Sequence, residues 1–121
     1  MKTGRMKSGA KYKRGANKKK LHEKKGQPRI VKLGELKRKL VKLVGGGHKM
    51  VTLSGETANV IQNGKAKKVK IINVVETPAN RFLARQNILI KDAIIETEIG
   101  KAKITNRPSQ EGNVQGILIK E

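Results

Sequence analysis

The sequence predicts a mainly β protein: a small antiparallel β-barrel or sandwich-like domain with one short helix and a basic, extended N-terminal tail. Three observations lead to that class. After residue 28 the chain falls into short runs that alternate apolar and polar residues, with turn signals about every 8–12 positions. Asn63-Gly64 lies between two such runs, and that dipeptide readily supplies the two positive φ angles of a type I′ hairpin turn. Finally, residues 1–25 hold eleven Lys or Arg against one acidic residue, while residues 26–121 hold eighteen against eight. Half of the formal charge of +20 is therefore carried by the first 25 residues.

The tail comes first. The stretch KYKRGANKKKLHEKKG, residues 11–26, contains eight basic side chains and only two sizeable apolar ones, Tyr12 and Leu21. Packed on itself it would repel, and it has too little apolar area to offset chain entropy. Glycines at 4, 9, 15 and 26 interrupt any helix longer than about two turns. Residues 1–27 therefore read as a basic extension, disordered when free, and residues 28–121 as a compact β domain. Pro28 favours an extended approach to that domain.

Residues 29–44 are ambiguous. Leu36, Leu40, Leu43 and Val44 have helical spacing, but a strand–Gly45-Gly46-Gly47–strand hairpin with residues 48–54 is favoured. The second hairpin pairs 57–62 with 65–75 across Asn63-Gly64, with Val69, Ile71 and Asn73 on one face. In ETPANRFLARQN, residues 76–87, Thr77 is a candidate cap and Pro78 suits a first helical turn, which predicts a helix of about two turns anchored by Phe82 and Leu83. Strand patterning then returns in 87–91, 93–99, 101–106 and 113–121, with Gly100 at a tight turn and 107–112 as a loop. Closure into a barrel would remove exposed strand edges.

Composition bounds the function. With no cysteine there is no disulfide, no thiolate nucleophile and no cysteine metal site. No apolar run approaches the ~18 residues of a membrane span, and no signal peptide is visible, so a cytoplasmic protein with no membrane partner is expected. The two histidines, His22 and His48, have no obvious carboxylate partner in sequence and make a poor metal site. Glu96 and Glu98 share a strand face, where a paired acid site competes with simple pairing to Lys101 and Lys103 across the hairpin; the pairing is favoured. GGGHK lacks the spacing of a nucleotide-binding loop. No enzyme, cofactor or small-molecule substrate is expected.

A charge of +20 exceeds the roughly 2–8 that solubility asks of a small domain and points to a polyanion, most simply nucleic acid. The candidate contacts in the tail are Arg5, Lys7, Lys11, Lys13 and Arg14, then Lys18, Lys19, Lys20, Lys24 and Lys25, with Tyr12 as a ring able to stack on a base. His48 and Lys49 follow the glycine turn, where backbone amides can approach a phosphate. Arg81 and Arg85, at i and i+4, present two guanidinium forks from one helix face. Arg107 opens the last loop.

The segments KLGELKRKLVKLVGGGHKMVTL, TANVIQNGKAKKVKIINVVE and ETPANRFLARQNILIKDAIIETEIGKAKITNRPSQEGNVQGILI follow one another in an order that resembles the small-subunit ribosomal protein eight family of archaea and eukaryotes, the "S-eight-e" type. The likeness covers nearly everything beyond about residue 26. It implies an archaeal short form, a structural constituent of the small ribosomal subunit that binds ribosomal RNA and touches neighbouring ribosomal proteins. A related branch acts in ribosome assembly and supplies the alternative. A DNA-compacting chromatin protein is a third reading, allowed by composition alone.

Overall fold

The computed structural model describes residues 4–10 and 19–119. Its strands are β1 (Lys32–Leu33), β2 (Lys37–Lys42), β3 (His48–Gly55), β4 (Thr57–Gln62), β5 (Lys65–Glu76), β6 (Ile94–Thr97), β7 (Gly100–Ile104) and β8 (Gln115–Leu118). The helix α1 (Arg81–Arg85) separates β5 from β6, and a 3-10 turn spans Leu21–Glu23 among the described residues.

β4 to β8 form a closed barrel, each strand antiparallel to the next. The seam is the exception. β8 meets β4 in parallel, with Val60 opposite Gly116 and Ile61 opposite Ile117. The reason is parity: in an up-and-down series of five strands the first and last run the same way, so closure must be parallel. The barrel is thus antiparallel at four pairings out of five.

Side chains of period two fill the interior. Ala58 and Val60, Val69 and Ile71, Ile95 and Thr97, and Ala102 and Ile104 are buried, while their strand neighbours face out. Leu89, Ala93 and Val114 complete the core from the connections. Each buried Val, Leu or Ile contributes about 1.5–3 kcal/mol, and a barrel this narrow needs no aromatic filler. Along the 12-residue β5 the alternation breaks. Register shifts at 71–73 and 74–76 mark bulges, and Val74, not Asn73, turns inward. A bulge adds a residue and bends the strand, which lets one long strand serve both β4 and β6. The expected face of Val69, Ile71 and Asn73 therefore holds only as far as Ile71.

The remaining strands form a second, three-stranded sheet in the order β1-β3-β2. Residues 37–42 are strand, and the would-be helical stripe stays largely in solvent, with Leu40 62% exposed. Gly45 and Gly46 hold φ of 91° and 87° in the turn, which closes through a 2.7 Å bond from the Leu43 amide to the Gly47 carbonyl. Val31 to Leu33 lace this sheet to the barrel side: the Leu33 amide donates to Asn87 and the Leu89 amide to Val31. Thr52, buried, donates from both its amide and its hydroxyl to the Glu111 carbonyl.

The Asn63-Gly64 turn has φ of 50° and 77°, both positive as type I′ requires. The helix differs from its expected form in three respects. Its cap is Asn80, whose side chain accepts from the Phe82 amide at 3.0 Å; Thr77 is buried and its hydroxyl donates to the Asn80 carbonyl. Pro78 belongs to a 77–80 turn, closed by the Asn80 amide on the Thr77 carbonyl at 3.1 Å, which suits proline's fixed φ. Phe82 is no anchor. It is 67% exposed, and half-buried Leu83 and Ala84 seat the helix instead. Asn87, with φ of 52°, ends it as a left-handed residue after the C-cap.

Candidate nucleic-acid interface

Arg81 and Arg85 lie one turn apart on α1, both exposed. Neither side chain makes a hydrogen bond or ion pair with the described residues. Phe82 and Arg85 are at i and i+3, so the exposed ring and a guanidinium are neighbours on the helix surface. Two donor forks and an exposed ring on a capped, seated helix are equipped to hold phosphates and to stack on a base. Sequence alone does not reveal this role of Phe82, because a lone aromatic next to Leu is ordinarily core.

A second cluster gathers where the tail joins the domain. Lys25, Gly26, Gln27, Pro28 and Arg29 line a shallow depression with Gln110. The Arg29 guanidinium donates to the Ser109 carbonyl at 3.3 Å, and the Lys49 ammonium donates to the Gln110 side-chain oxygen. Lys49 is thus half-buried and tethered, whereas His48 is exposed and lies opposite Lys42. Arg107 is exposed, and its carbonyl caps the turn by accepting from the Gln110 and Glu111 amides. Residues 29–33 connect this cluster to the end of α1, where Leu33 bonds Asn87. The four steps from Arg29 to Leu33 span at most about 14 Å, so this short stretch links the two clusters. Arg29 was not among the expected contacts; nothing in its sequence surroundings distinguishes it from any other basic residue.

Of the tail candidates, Arg5 and Lys7 are exposed, as are Lys19, Lys20, Lys24 and Lys25. The Lys20 amide donates to the Glu23 carboxylate at 3.0 Å, closing the 3-10 turn. Lys11, Tyr12, Lys13, Arg14 and Lys18 lie outside the described residues.

The barrel adds further basic residues. On β5, Lys68 and Lys70 share the outer face, opposite Asn59 and Thr57 of β4, and exposed Lys65 and Lys67 lie on the other face near the hairpin end, opposite Gln62 and Val60; none of these partners is acidic. The opposite wall is balanced: Glu96 faces Lys101 across β6 and β7, and Lys103 meets Asp92 at 3.0 Å. Glu98 leaves the strand for the turn, so only the Glu96–Lys101 register follows the expected pairing. The KAKKVK run is visible in sequence; the register that leaves it without acids is not.

Little here resembles a catalytic centre. His22 and Glu23 approach to 3.8 Å, both in solvent. The buried polar side chains Thr52, Thr77 and Thr97 all donate to backbone carbonyls. Among the described residues no three His, Cys, Asp or Glu side chains group to hold a metal, and no helix is long and apolar enough to cross a membrane.

Residues 1–119 match the family described as Ribosomal protein S8e. The chain is 45% identical over 94 residues to the small ribosomal subunit protein eS8 of Methanoregula boonei, covering 76% of this chain and 75% of that one. It is similar to the protein of the same name from Pyrobaculum aerophilum, at 43% over 97 residues, covering 78% and 74%. With that of Nanoarchaeum equitans the identity is 42% over 106 residues, covering 86% and 84%.

Proposed function

The chain belongs to the S8e family of ribosomal proteins, and on that footing we propose that it is a structural constituent of the small ribosomal subunit, in the cytoplasm, that binds ribosomal RNA through its lysine-rich N-terminal extension and the basic surface of its β domain. The observation that carries the RNA contact is α1: exposed Arg81 and Arg85, without partners among the described residues, beside an exposed Phe82. Neighbouring ribosomal proteins are the further partners.

The work divides between the parts. Lysines on long stems act as mobile point charges, which suits phosphates but sets no register. Two arginines on a seated helix hold their forks in a defined direction and place the protein on one RNA shape. Residues 28–121 fold without residues 1–27, since the core lies wholly within them.

Salt titrations on cognate small-subunit ribosomal RNA and on random RNA test this. Deleting residues 1–25 weakens binding to both. It also flattens the log–log salt slope by about 0.7–0.9 for every phosphate that the shortened chain no longer neutralises. Replacing Arg81 and Arg85 by Ala instead narrows the gap between the two RNAs, with a slope change of at most about 2. If the tail deletion erases discrimination and the double replacement leaves it intact, the division is reversed.

A further inference from the structure

Between the three-stranded sheet and the barrel lies a cleft of about 160 Å³. Its apolar lining comes from Leu36, Gly55 and Val114, and its cationic lining from Arg38 of β2 and Lys68 of β5. Asn59, half-buried on β4 and directly opposite Lys68, and Asn113 add two carboxamides. The side chains of Arg38, Asn59 and Lys68 make no hydrogen bond or ion pair with the described residues. The site thus combines an apolar surface for a ring, two amides that can each donate and accept, and two cations, drawn from two separate sheets.

We propose that this cleft receives one extruded pyrimidine nucleotide of the bound RNA, its base inserted and its phosphate held by Arg38 and Lys68. Size selects the base. A cavity of roughly 150 Å³ admits a single benzene ring, so a six-membered ring fits within the cleft while the second ring of a purine is left protruding into solvent, which favours the pyrimidine. Chemistry selects the edge. Each Asn side chain presents an N–H donor and a carbonyl acceptor, which meets uracil and cytosine alike, while Leu36 and Val114 contact the ring face. Extruding one unpaired base from an RNA loop or bulge is inexpensive, and such bases are what proteins read in RNA. The inference rests on the chain being an RNA-binding protein, and it fixes a point of register that the mobile lysines do not.

The test uses the full-length, isotope-labelled chain and the probes UMP, AMP and inorganic phosphate, followed through backbone amide shifts. UMP moves the amides of Gly55, Asn59 and Val114, leaves that of Gly64 at the far hairpin in place, and binds several-fold more tightly than AMP. Phosphate alone perturbs only the surroundings of Arg38 and Lys68. Gly55→Val fills the cleft: a Cβ there meets Thr52 Cγ2 at 3.7 Å and Val114 Cγ2 at 3.9 Å, ordinary contacts, and its φ is not left-handed. The variant loses the UMP response, with its melting temperature measured alongside. Should it fold poorly, Asn59→Ala serves, and weakens UMP binding several-fold by removing one amide from the base edge. AMP binding as well as UMP, phosphate reproducing the whole UMP pattern, or UMP leaving these amides unmoved overturns the proposal. A chain that binds cognate ribosomal RNA while UMP leaves the cleft unmoved loses this inference and keeps its function. A chain that takes UMP in the cleft but prefers no ribosomal RNA over random RNA keeps the cleft and loses the function.

Discussion

Gly116 sits hard against the neighbouring strand, and Gly116→Ala measures how closely the two strands approach. The residue is buried in β8, with Ile104 of β7 on one side and Val60 of β4 on the other. A Cβ added there would stand 2.9 Å from the Lys103 carbonyl oxygen and 3.5 Å from its carbon. The obstacle is strand backbone, which cannot rotate aside, so β7 and β8 must part at the expense of their ladder. Overpacking of this kind costs about 1–3 kcal/mol. The alanine also restricts the unfolded chain, a gain of about 0.4–1 kcal/mol, and the middle of the two ranges leaves a net loss of roughly 1.3 kcal/mol. At roughly 4–8 °C per kcal/mol for a domain of this size, the thermal midpoint falls by roughly 5–10 °C, read by circular dichroism. Gly112→Ala is the control. Its added Cβ would meet only the Met50 side chain, at 3.3 Å, and a flexible thioether yields, so the midpoint barely moves. If Gly116→Ala melts with the wild type, or if both variants lose the same stability, the close pairing of β8 with β7 is refuted.

Other perturbations separate folding from binding. Gly64→Val puts a β-branched residue at a φ of 77° and costs on the order of 1–3 kcal/mol, so the melting temperature drops; an unchanged value would speak against the type I′ turn. Asn106→Ala removes a side chain that donates to the Asn113 carbonyl and the Glu111 carboxylate, both at 2.8 Å, and accepts from the Gln115 amide at 3.0 Å. Urea unfolding should then show a loss of about 1–3 kcal/mol, and a loss near zero would mean that water replaces all three bonds. Phe82→Ala leaves stability within about 0.5 kcal/mol because the ring is exposed. It weakens RNA binding by the value of one stacked base, about 1–3 kcal/mol, or roughly 5- to 150-fold. A large stability loss with unchanged affinity would return Phe82 to the core.

What is legible in the sequence follows the range of the interaction. The Asn63-Gly64 turn is a matter of two adjacent residues, and its φ values match the expectation. So does the strand over 37–42, decided by the glycine turn that follows it. The cap of α1 lies three residues beyond its expected place because Thr77 and Asn80 are both good caps and only the 77–80 turn decides between them. The bulges in β5 have no local signal, since they arise from the need of one strand to pair two partners. Of the interface, Arg81 and Arg85 are legible from helical spacing, whereas the exposure of Phe82 is set by where the helix sits. The cleft is not legible in sequence: Asn59 and Lys68 face each other across the predicted hairpin, but Arg38 joins them only when the two sheets come together.

Where the protein resides in the cell decides most directly whether it is a constituent of the small subunit. Sucrose-gradient fractionation of a lysate from its own organism, probed for this chain with and without nuclease, measures that. The protein should co-sediment with mature small-subunit particles and with translating ribosomes, in proportion to the small-subunit RNA, and shift to the top of the gradient after ribonuclease. Sedimentation with precursor particles alone would make it an assembly factor, and release by deoxyribonuclease but not ribonuclease would make it a DNA-binding protein; either result contradicts a structural place in the small ribosomal subunit.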